Sequence, residues 1–230
     1  GRSSLGVPFI RNKRGEVKRV GRDIAEVFAA FYRGLYAECR RPRLERESPL
    51  LNEIPLPKVA RGDMRALEAE LTLEEVETAL GDLSVGRTPG PDGFPTEFYK
   101  IYGVLLTPRM LSLFQEAVEV GRFPEHINMA TIVTLLKPGH PADQCASYRP
   151  ISLINTELKV FAKVLVNRLL PIIQTLIQRD QCGFMPARST RHCIRRLYVA
   201  MENRERLSGS LALLLADFEK AFDTVDWGYL

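Results

Sequence analysis

The sequence predicts an α+β, helix-rich fold. Several segments repeat apolar residues every three to four positions, as one face of a helix does, and one β-branched run, Ala130 to Leu136, ends in the turn-forming Lys137-Pro138-Gly139. Composition bounds the class. With 45% hydrophobic and 26% charged residues, the 230-residue chain can bury a sizeable core, and no apolar stretch approaches the roughly 18 residues of a membrane span.

Taken in order, residues 23 to 38 predict a helix with Ile24, Val27, Phe28, Phe31 and Leu35 on one face and Asp23 and Glu26 spaced as a capping box. The following RRPRLERESPLLNEIPLPK holds Pro42, Pro49, Pro55 and Pro57 and reads as an extended linker. Thr72 and Glu75 form a second capping box, for a helix with Leu73, Val76 and Leu80 inward and Gly81 at its end. Thr107 as N-cap, Pro108 at the first helical position, an inner face of Leu111, Phe114 and Val118, and Gly121 beyond the end define the next helix.

The strand at 130 to 136 is answered by SYRPISLI, 147 to 154, a returning strand that Pro150 confines to an edge or a bulge. Asn155 or Thr156 then caps a long helix with Leu158, Phe161, Leu165, Leu169, Ile172 and Leu176 at helical spacing and Pro171 as a kink or break. Beyond the turn-like QCGFMPARST, Ile194, Leu197, Tyr198 and Met201 define a further helix with a basic face. Last, the apolar run Leu211 to Ala216 ends abruptly in Asp217, which reads as a buried strand delivering an acid to its carboxyl end. The chain starts GRSSLGVPFIRNKRG without an initiator Met or a signal-like apolar core, and both ends read as cuts from a longer polypeptide.

Cys39, Cys145, Cys182 and Cys193 form no CxxC pair and the histidines are scattered, so neither a zinc site nor a disulfide framework is indicated, and a reducing compartment is the default. Cys182, His192 and Cys193 read as three ordinary residues. Net charge is only +4, but its sign is segregated: residues 1 to 46 hold 12 basic and 5 acidic side chains, residues 61 to 131 hold 6 and 12, and residues 137 to 210 hold 12 and 5. Basic blocks joined to a strand-end acid suit phosphate handling, in which cations bind the polyanion and carboxylates hold divalent metal, although solvated helix faces account for the charge equally well. Two-metal phosphoryl transfer needs carboxylates holding cations about 3.5 to 4 Å apart, and Asp217 is the candidate ligand. For Asp223 and Asp226 an N-cap or surface role is the better reading.

The segment LALLLADFEKAFDTVDW resembles the first catalytic motif of the reverse transcriptases of non-LTR (LINE-type) retrotransposons. GRTPGPDGFPTEFYK (86 to 100), ATIVTLLKPG (130 to 139), SYRPISLINTELKVFAKVLVNRL (147 to 169) and QCGFMPAR (181 to 188) resemble, in order and spacing, blocks that precede that motif. The resemblance is close over residues 86 to 230 and looser over 7 to 85. It implies the fingers subdomain plus an incomplete palm of a right-hand polymerase. In that arrangement residues 1–39 are a basic N-terminal helical segment, 40–60 a proline-rich linker, 61–210 the fingers-type region and 211–230 the start of the palm.

Carried over residue by residue, the resemblance makes Asp217 the first metal-ligating, catalytic carboxylate and the Phe218 backbone carbonyl a second metal contact. Phe222 matches the steric gate that excludes a 2′-hydroxyl. Arg149 and Lys137 match cations that bind the incoming triphosphate, a role that suits the planar, bidentate guanidinium. Their bland counterparts are a core Phe, a surface salt bridge and a solvated turn. Gly90-Pro91-Asp92-Gly93 is a turn on any reading and by resemblance lies near the template strand, and Arg188, Arg191, Arg195 and Arg196 would track a nucleic-acid backbone.

The implied partners are an RNA template, a DNA primer and deoxynucleoside triphosphates, with Mg²⁺ as cofactor, Mn²⁺ able to substitute, and no membrane. The implied location is intracellular, in cytoplasm and nucleus. The family's paired-aspartate hairpin is missing from these 230 residues, so the polypeptide alone is expected to be inactive, with the 211–216 strand short of sheet neighbours. The alternative is a truncated or co-opted nucleic-acid-binding module without catalysis, which would bind RNA in a salt-dependent way and show no metal-dependent chemistry.

Overall fold

The computed structural model describes residues 6–38, 57–203, 212–218, 220–223 and 225, so most of the proline-rich linker lies outside the described residues. The chain gathers into two units, one from residues 1–55, 130–153 and 217–230, the other from 56–129 and 154–216.

In the first unit, β1 (Ile10–Arg11) and β2 (Val17–Lys18) pair antiparallel, with Ile10 opposite Lys18 and Arg11 opposite Val17. Two-residue strands have no periodicity to detect, so the sequence did not reveal them. The helix α1 (Gly21–Glu38) begins two residues earlier than expected, which leaves Asp23 and Glu26 inside its first turns rather than in a capping box. Its Ile24, Phe28 and Tyr32, spaced four apart, bury against Ile10, Cys145 and Tyr148. β3 (Ala130–Leu136) and β4 (Tyr148–Ile154) pair with each other in a two-stranded sheet, in which Pro150 is tolerated because every strand is an edge.

Of the expected strand at 211 to 216, the described residues 212–216 form none, and Leu211 lies outside the described residues. Residues 212–218 carry no regular secondary structure and their side chains are exposed, Leu214 by 89%. A strand takes its backbone hydrogen bonds from a neighbour, and among the described residues β3 and β4 pair only with each other, leaving this run without a ladder.

The second unit is helical: α2 (Arg61–Glu68), α3 (Leu73–Asp82), α4 (Thr96–Ile101), α5 (Gly103–Val120), α6 (Thr156–Leu176) and α7 (Thr190–Glu202). The capping box of α3 is present, the Thr72 hydroxyl accepting from the Glu75 amide while the Glu75 carboxylate accepts from the Thr72 amide. Val76, Ala79 and Leu80 face inward, whereas Leu73 points to solvent. They join Leu71, Tyr99, Met110, Phe114, Val160 and Val164 in one core, each large apolar side chain contributing about 1.5–3 kcal/mol. Phe114, Phe123 and Phe161 form an aromatic triangle with centroid separations of 6.2, 5.2 and 4.9 Å.

The sequence reading has no counterpart to α2, and α4, α5 and α6 also differ from expectation. α4, at six residues, is too short for periodicity to signal. α5 starts at Gly103, so Thr107 is buried inside it, donating to the Gly103 carbonyl at 2.9 Å, and Pro108 lies within the helix rather than at its start. The carbonyl that Pro108 cannot reach belongs to Val104, which is exposed and open to water. Gly121 ends α5 in the left-handed conformation, as anticipated, but Val118 faces outward and Met110 and Ala117 take the inner positions. In α6 the buried stripe is Thr156, Val160 and Val164 rather than Leu165 and Leu169, and the helix runs through Pro171 to Leu176.

A guanidinium from the body of α6 joins two helix ends. Arg168 of α6, its side chain only 12% exposed, pairs bidentately with Glu75 at 2.5 and 2.7 Å and donates to the carbonyls of Leu67 (3.3 Å), Ala69 (2.5 Å) and Glu70 (2.7 Å). The Arg168 hydrogen bond, foremost, holds the Glu75 carboxyl down at about 2 against an ordinary 4.5. Because the folded-state value is depressed, this contribution is complete above about pH 4.5 and is lost as pH falls towards 2. We expect about 2 kcal/mol of acid-sensitive stability after allowing for solvent screening, read by urea denaturation followed by circular dichroism, with a flatter pH dependence in Glu75→Gln. Arg168→Met, which strands the carboxylate, should cost about 3 kcal/mol, and a cost under about 1 would show that water replaces the guanidinium.

Candidate functional site

The loop joining β3 to β4 is braced from several sides. Arg11 pairs with Asp143 at 3.1 Å and donates its amide to the Asp143 carbonyl at 2.8 Å. Buried Tyr148 donates its hydroxyl to the Ala142 carbonyl at 2.7 Å and meets the Phe28 ring edge-on at 5.1 Å. Burial pushes both this phenol and the Cys145 thiol above their usual ranges. At the loop mouth the Lys137 amide donates to the Ser147 carbonyl at 2.9 Å, and its half-buried ammonium reaches the Ala146 carbonyl at 3.3 Å. Lys137 thus braces the loop in addition to carrying charge.

Successive side chains on a strand alternate faces, so burial of Tyr148 turns Arg149 outward, where it is exposed. A cavity of about 860 Å³ on the same unit is lined by Arg11, Lys13, Arg14 and Lys18 and, opposing them in charge, by Asp23 and Glu26. The sequence showed these cations only as net charge. The signal available was the basic run NKRGEVKR, which the short β1 and β2 fold back on itself.

Asp217 and Phe218 are exposed in the irregular segment. Residues 220–223 form a turn: the Asp223 amide donates to the Lys220 carbonyl at 2.8 Å, with Lys220 at φ 51°. The Asp223 carboxylate accepts from the Tyr36 hydroxyl at 3.3 Å, and Asp226 lies outside the described residues. The Lys220 ammonium sits 5.1 Å from the Phe31 ring centroid, which docks the turn on α1. Phe222, in that turn, is 85% exposed rather than a core residue. Asp217 and the Phe218 carbonyl are hard oxygen donors of the kind divalent cations prefer, but no group of three or more metal-ligating side chains gathers among the described residues. A carboxylate and a carbonyl do not hold two cations, so the residues described do not complete a metal site.

In the other unit, Gly90-Pro91-Asp92-Gly93 is a turn closed by the Gly93 amide on the Gly90 carbonyl at 3.1 Å, with Gly93 at φ 77°. The turn docks on the start of α6. Asn155 does not cap that helix with its side chain. Its amide oxygen accepts from the Asp92 amide at 3.3 Å, while the Thr156 hydroxyl donates to the Phe94 carbonyl at 3.1 Å and the Lys159 ammonium to that of Thr88 at 3.2 Å. Arg188 is likewise committed to structure: its guanidinium donates to the carbonyls of Gln178 (2.7 Å) and Gln181 (3.0 Å) in the segment after α6 and, at 3.4 Å, to those of Gln174 in the last turn of α6 and Ile177 just beyond it. Arg195 and Arg196 line a cavity of about 780 Å³ together with Arg179 and His192.

Residues 135–230, which include Lys137, Arg149, Asp217, Phe218 and Phe222, match the family described as "Reverse transcriptase (RNA-dependent DNA polymerase)". They belong to the reverse transcriptase family. The chain is 32% identical over 175 residues to the transposon TX1 uncharacterized 149 kDa protein of Xenopus laevis, covering 76% of this chain and 13% of the relative. It is 28% identical over 230 residues to the RNA-directed DNA polymerase from mobile element jockey of Drosophila melanogaster, covering 94% and 23%. A putative 115 kDa protein in type-1 retrotransposable element R1DM of the same fly is 29% identical over 196 residues, covering 84% and 18%. Residues 135–230 are thus part of a reverse transcriptase domain whose relatives are proteins of transposons and retrotransposable elements, and the chain spans under a quarter of the length of these relatives.

The reverse transcriptase segment and its GPDG turn meet through one close approach. A Cβ on Gly90 would lie 2.5 Å from the Asn155 nitrogen and 2.6 Å from the Ile154 carbonyl carbon, both backbone atoms that cannot rotate aside. Gly90→Ala should therefore destabilise the helical unit by about 3 kcal/mol and lower Tm by several degrees, whereas Gly62→Ala, with open space around it, should leave Tm within about a degree. Equal Tm values for the two variants would refute the tight docking.

Proposed function

We propose that this chain is the fingers subdomain and the beginning of the palm of an RNA-directed DNA polymerase from a non-LTR retrotransposon. The intact enzyme would act on an RNA template, a DNA primer end and deoxynucleoside triphosphates, with Mg²⁺ as the divalent cation. In it, Asp217 and the Phe218 carbonyl contribute to the metal site, Arg149 and Lys137 grip the triphosphate, and Phe222 stands against the sugar. The observation that carries the reading is that all five residues lie inside the matched segment and inside one unit of the fold. Arg149 faces outward on a braced strand, and Asp217 and Phe222 are exposed, which supports this reading. The proposed working sites of such a polymerase are the cytoplasm and nucleus.

The 230-residue polypeptide alone carries one of the acids that two-metal chemistry needs, and should give no extension of a primed template with Mg²⁺ or Mn²⁺. Clear extension abolished by Asp217→Ala would show the chain to be complete. The roles are tested by transplanting residues 86–230 into the corresponding segment of the jockey polymerase. There Asp217→Ala should lower extension by about a thousandfold or more. Arg149→Ala should raise KM for deoxynucleotide about 10- to 100-fold with a smaller change in kcat, the size of one or two lost charge-assisted hydrogen bonds. Phe222→Ala should admit ribonucleotides. An Arg149→Ala chimera with unaltered nucleotide KM, or a Phe222→Ala chimera that still rejects ribonucleotides, would remove that residue from the site.

A further inference from the structure

Cys182 and Cys193, unremarkable in sequence, are brought together by the fold. Their sulfurs lie 2.8 Å apart, well inside ordinary van der Waals separation. Cys182 sits in the turn after α6 and Cys193 in the first turns of α7, and both are partly exposed.

The pairing is not left to two side chains. Asp180, two residues before Cys182, forms an ion pair with Arg196 of α7, and its carbonyl accepts from the Cys193 thiol at 3.5 Å. Arg188 ties the intervening loop to the carbonyls of Gln178 and Gln181, and Ser189 caps α7 by accepting from the Arg191 amide at 3.2 Å. The loop is therefore held with its two thiols already in register, and their bond needs little further ordering. The surroundings also select the reagent. Cys182 lines the cavity that Arg179, Arg188, Arg195 and Arg196 make basic, so an anionic disulfide is drawn to it.

We propose that Cys182 and Cys193 form a redox-modification site, a vicinal dithiol that anionic low-molecular-weight disulfides such as oxidised glutathione close into an intramolecular disulfide. The step balances as two thiol–disulfide exchanges. The Cys182 thiolate attacks one sulfur of oxidised glutathione, a new S–S bond forms and one glutathione thiolate leaves. The Cys193 sulfur, having lost its proton to solvent, then attacks the Cys182 sulfur and expels the second glutathione. The protein loses two electrons and two protons, and one disulfide becomes two thiols. The order of attack follows from the geometry: Cys182 lines the basic cavity, whereas Cys193 does not line it and its thiol donates to the Asp180 carbonyl, so Cys193 is the resolving sulfur. Buried Cys145, with its own thiol pushed up by burial, is an internal control.

The experiment treats the 230-residue chain, in a Cys39→Ser background, with millimolar oxidised glutathione at pH 8, followed by alkylation, tryptic digestion and mass spectrometry. The expected result is a disulfide joining the peptides of residues 180–188 and 192–195 in a monomeric chain, reversed by dithiothreitol, with Cys145 still alkylated. Cys193→Ser should arrest the reaction with glutathione on Cys182. Cys182→Ser should react at Cys193 at least about tenfold more slowly, with the helical circular dichroism of both variants unchanged. Linkage only between chains, glutathione adducts that never close, or Cys145 reacting as fast as the pair would overturn the proposal, as would equal rates in the two serine variants. Arg195→Glu with Arg196→Glu adds a second test: it should slow closure by oxidised glutathione several-fold more than closure by a neutral disulfide, and an equal effect on both would refute the electrostatic selection.

Discussion

Arg168, in the body of α6, meets the ends of two other helices with one planar group. The last carbonyls of α2 and its exit have no helical partners, the first turn of α3 carries an acid that also serves its own cap, and α6 supplies the cation that satisfies both. A lysine could not do this, because its ammonium cannot face a carboxylate with two parallel donors while bonding carbonyls on either side. The core of Val76, Leu80, Phe114 and Val160 supplies most of the burial, but apolar packing has no direction. The guanidinium sets the register in which α6 lies along α3, and so where the amino-terminal end of α6 stands.

That end is where the GPDG turn docks. Gly90 touches backbone, Asp92 bonds the Asn155 side chain and Thr156 bonds the carbonyl of Phe94. A segment that could be taken for a solvent-facing contact loop is therefore built into the helical unit. The same holds for Arg188, which spends its donors chiefly on carbonyls of the segment that follows α6. In both cases a polar or flexible residue in a family motif does structural work first, and contact with nucleic acid would have to use what that work leaves exposed.

In the other unit the order of construction is reversed. A two-stranded sheet is marginal by itself, and β3 and β4 are carried by side chains from α1 and β1 that grip their connecting loop, through Arg11 to Asp143 and Phe28 to Tyr148. The strand alternation then turns Arg149 outward. The 220–223 turn leans on the same α1 through Tyr36 and Phe31. The amino-terminal helix, which in sequence reads as a basic appendage, is what both groups of proposed site residues rest on.

Local signals were legible wherever one short segment holds its own determinants. The Thr72–Glu75 capping box, Gly121 at the end of α5, the strand bounds at 130–136 and the GPDG turn were all readable because the residues that decide them lie within a few positions of each other. The family, too, was legible in the order of its motifs. Which helix faces turn inward was not, since Leu165 and Leu169 fit the period as well as Val160 and Val164 and only the position of α3 chooses between them. Nor could the sequence decide the state of Leu211 to Ala216. Its composition specifies a strand, but a strand exists only where another backbone completes its hydrogen bonds. The chemical identity of Asp217, Arg149 and Phe222 was therefore written in the sequence alone, while Arg168's grip, the Cys182–Cys193 encounter and the irregular course of residues 212–218 were decided by tertiary structure, because each depends on groups far apart along the chain.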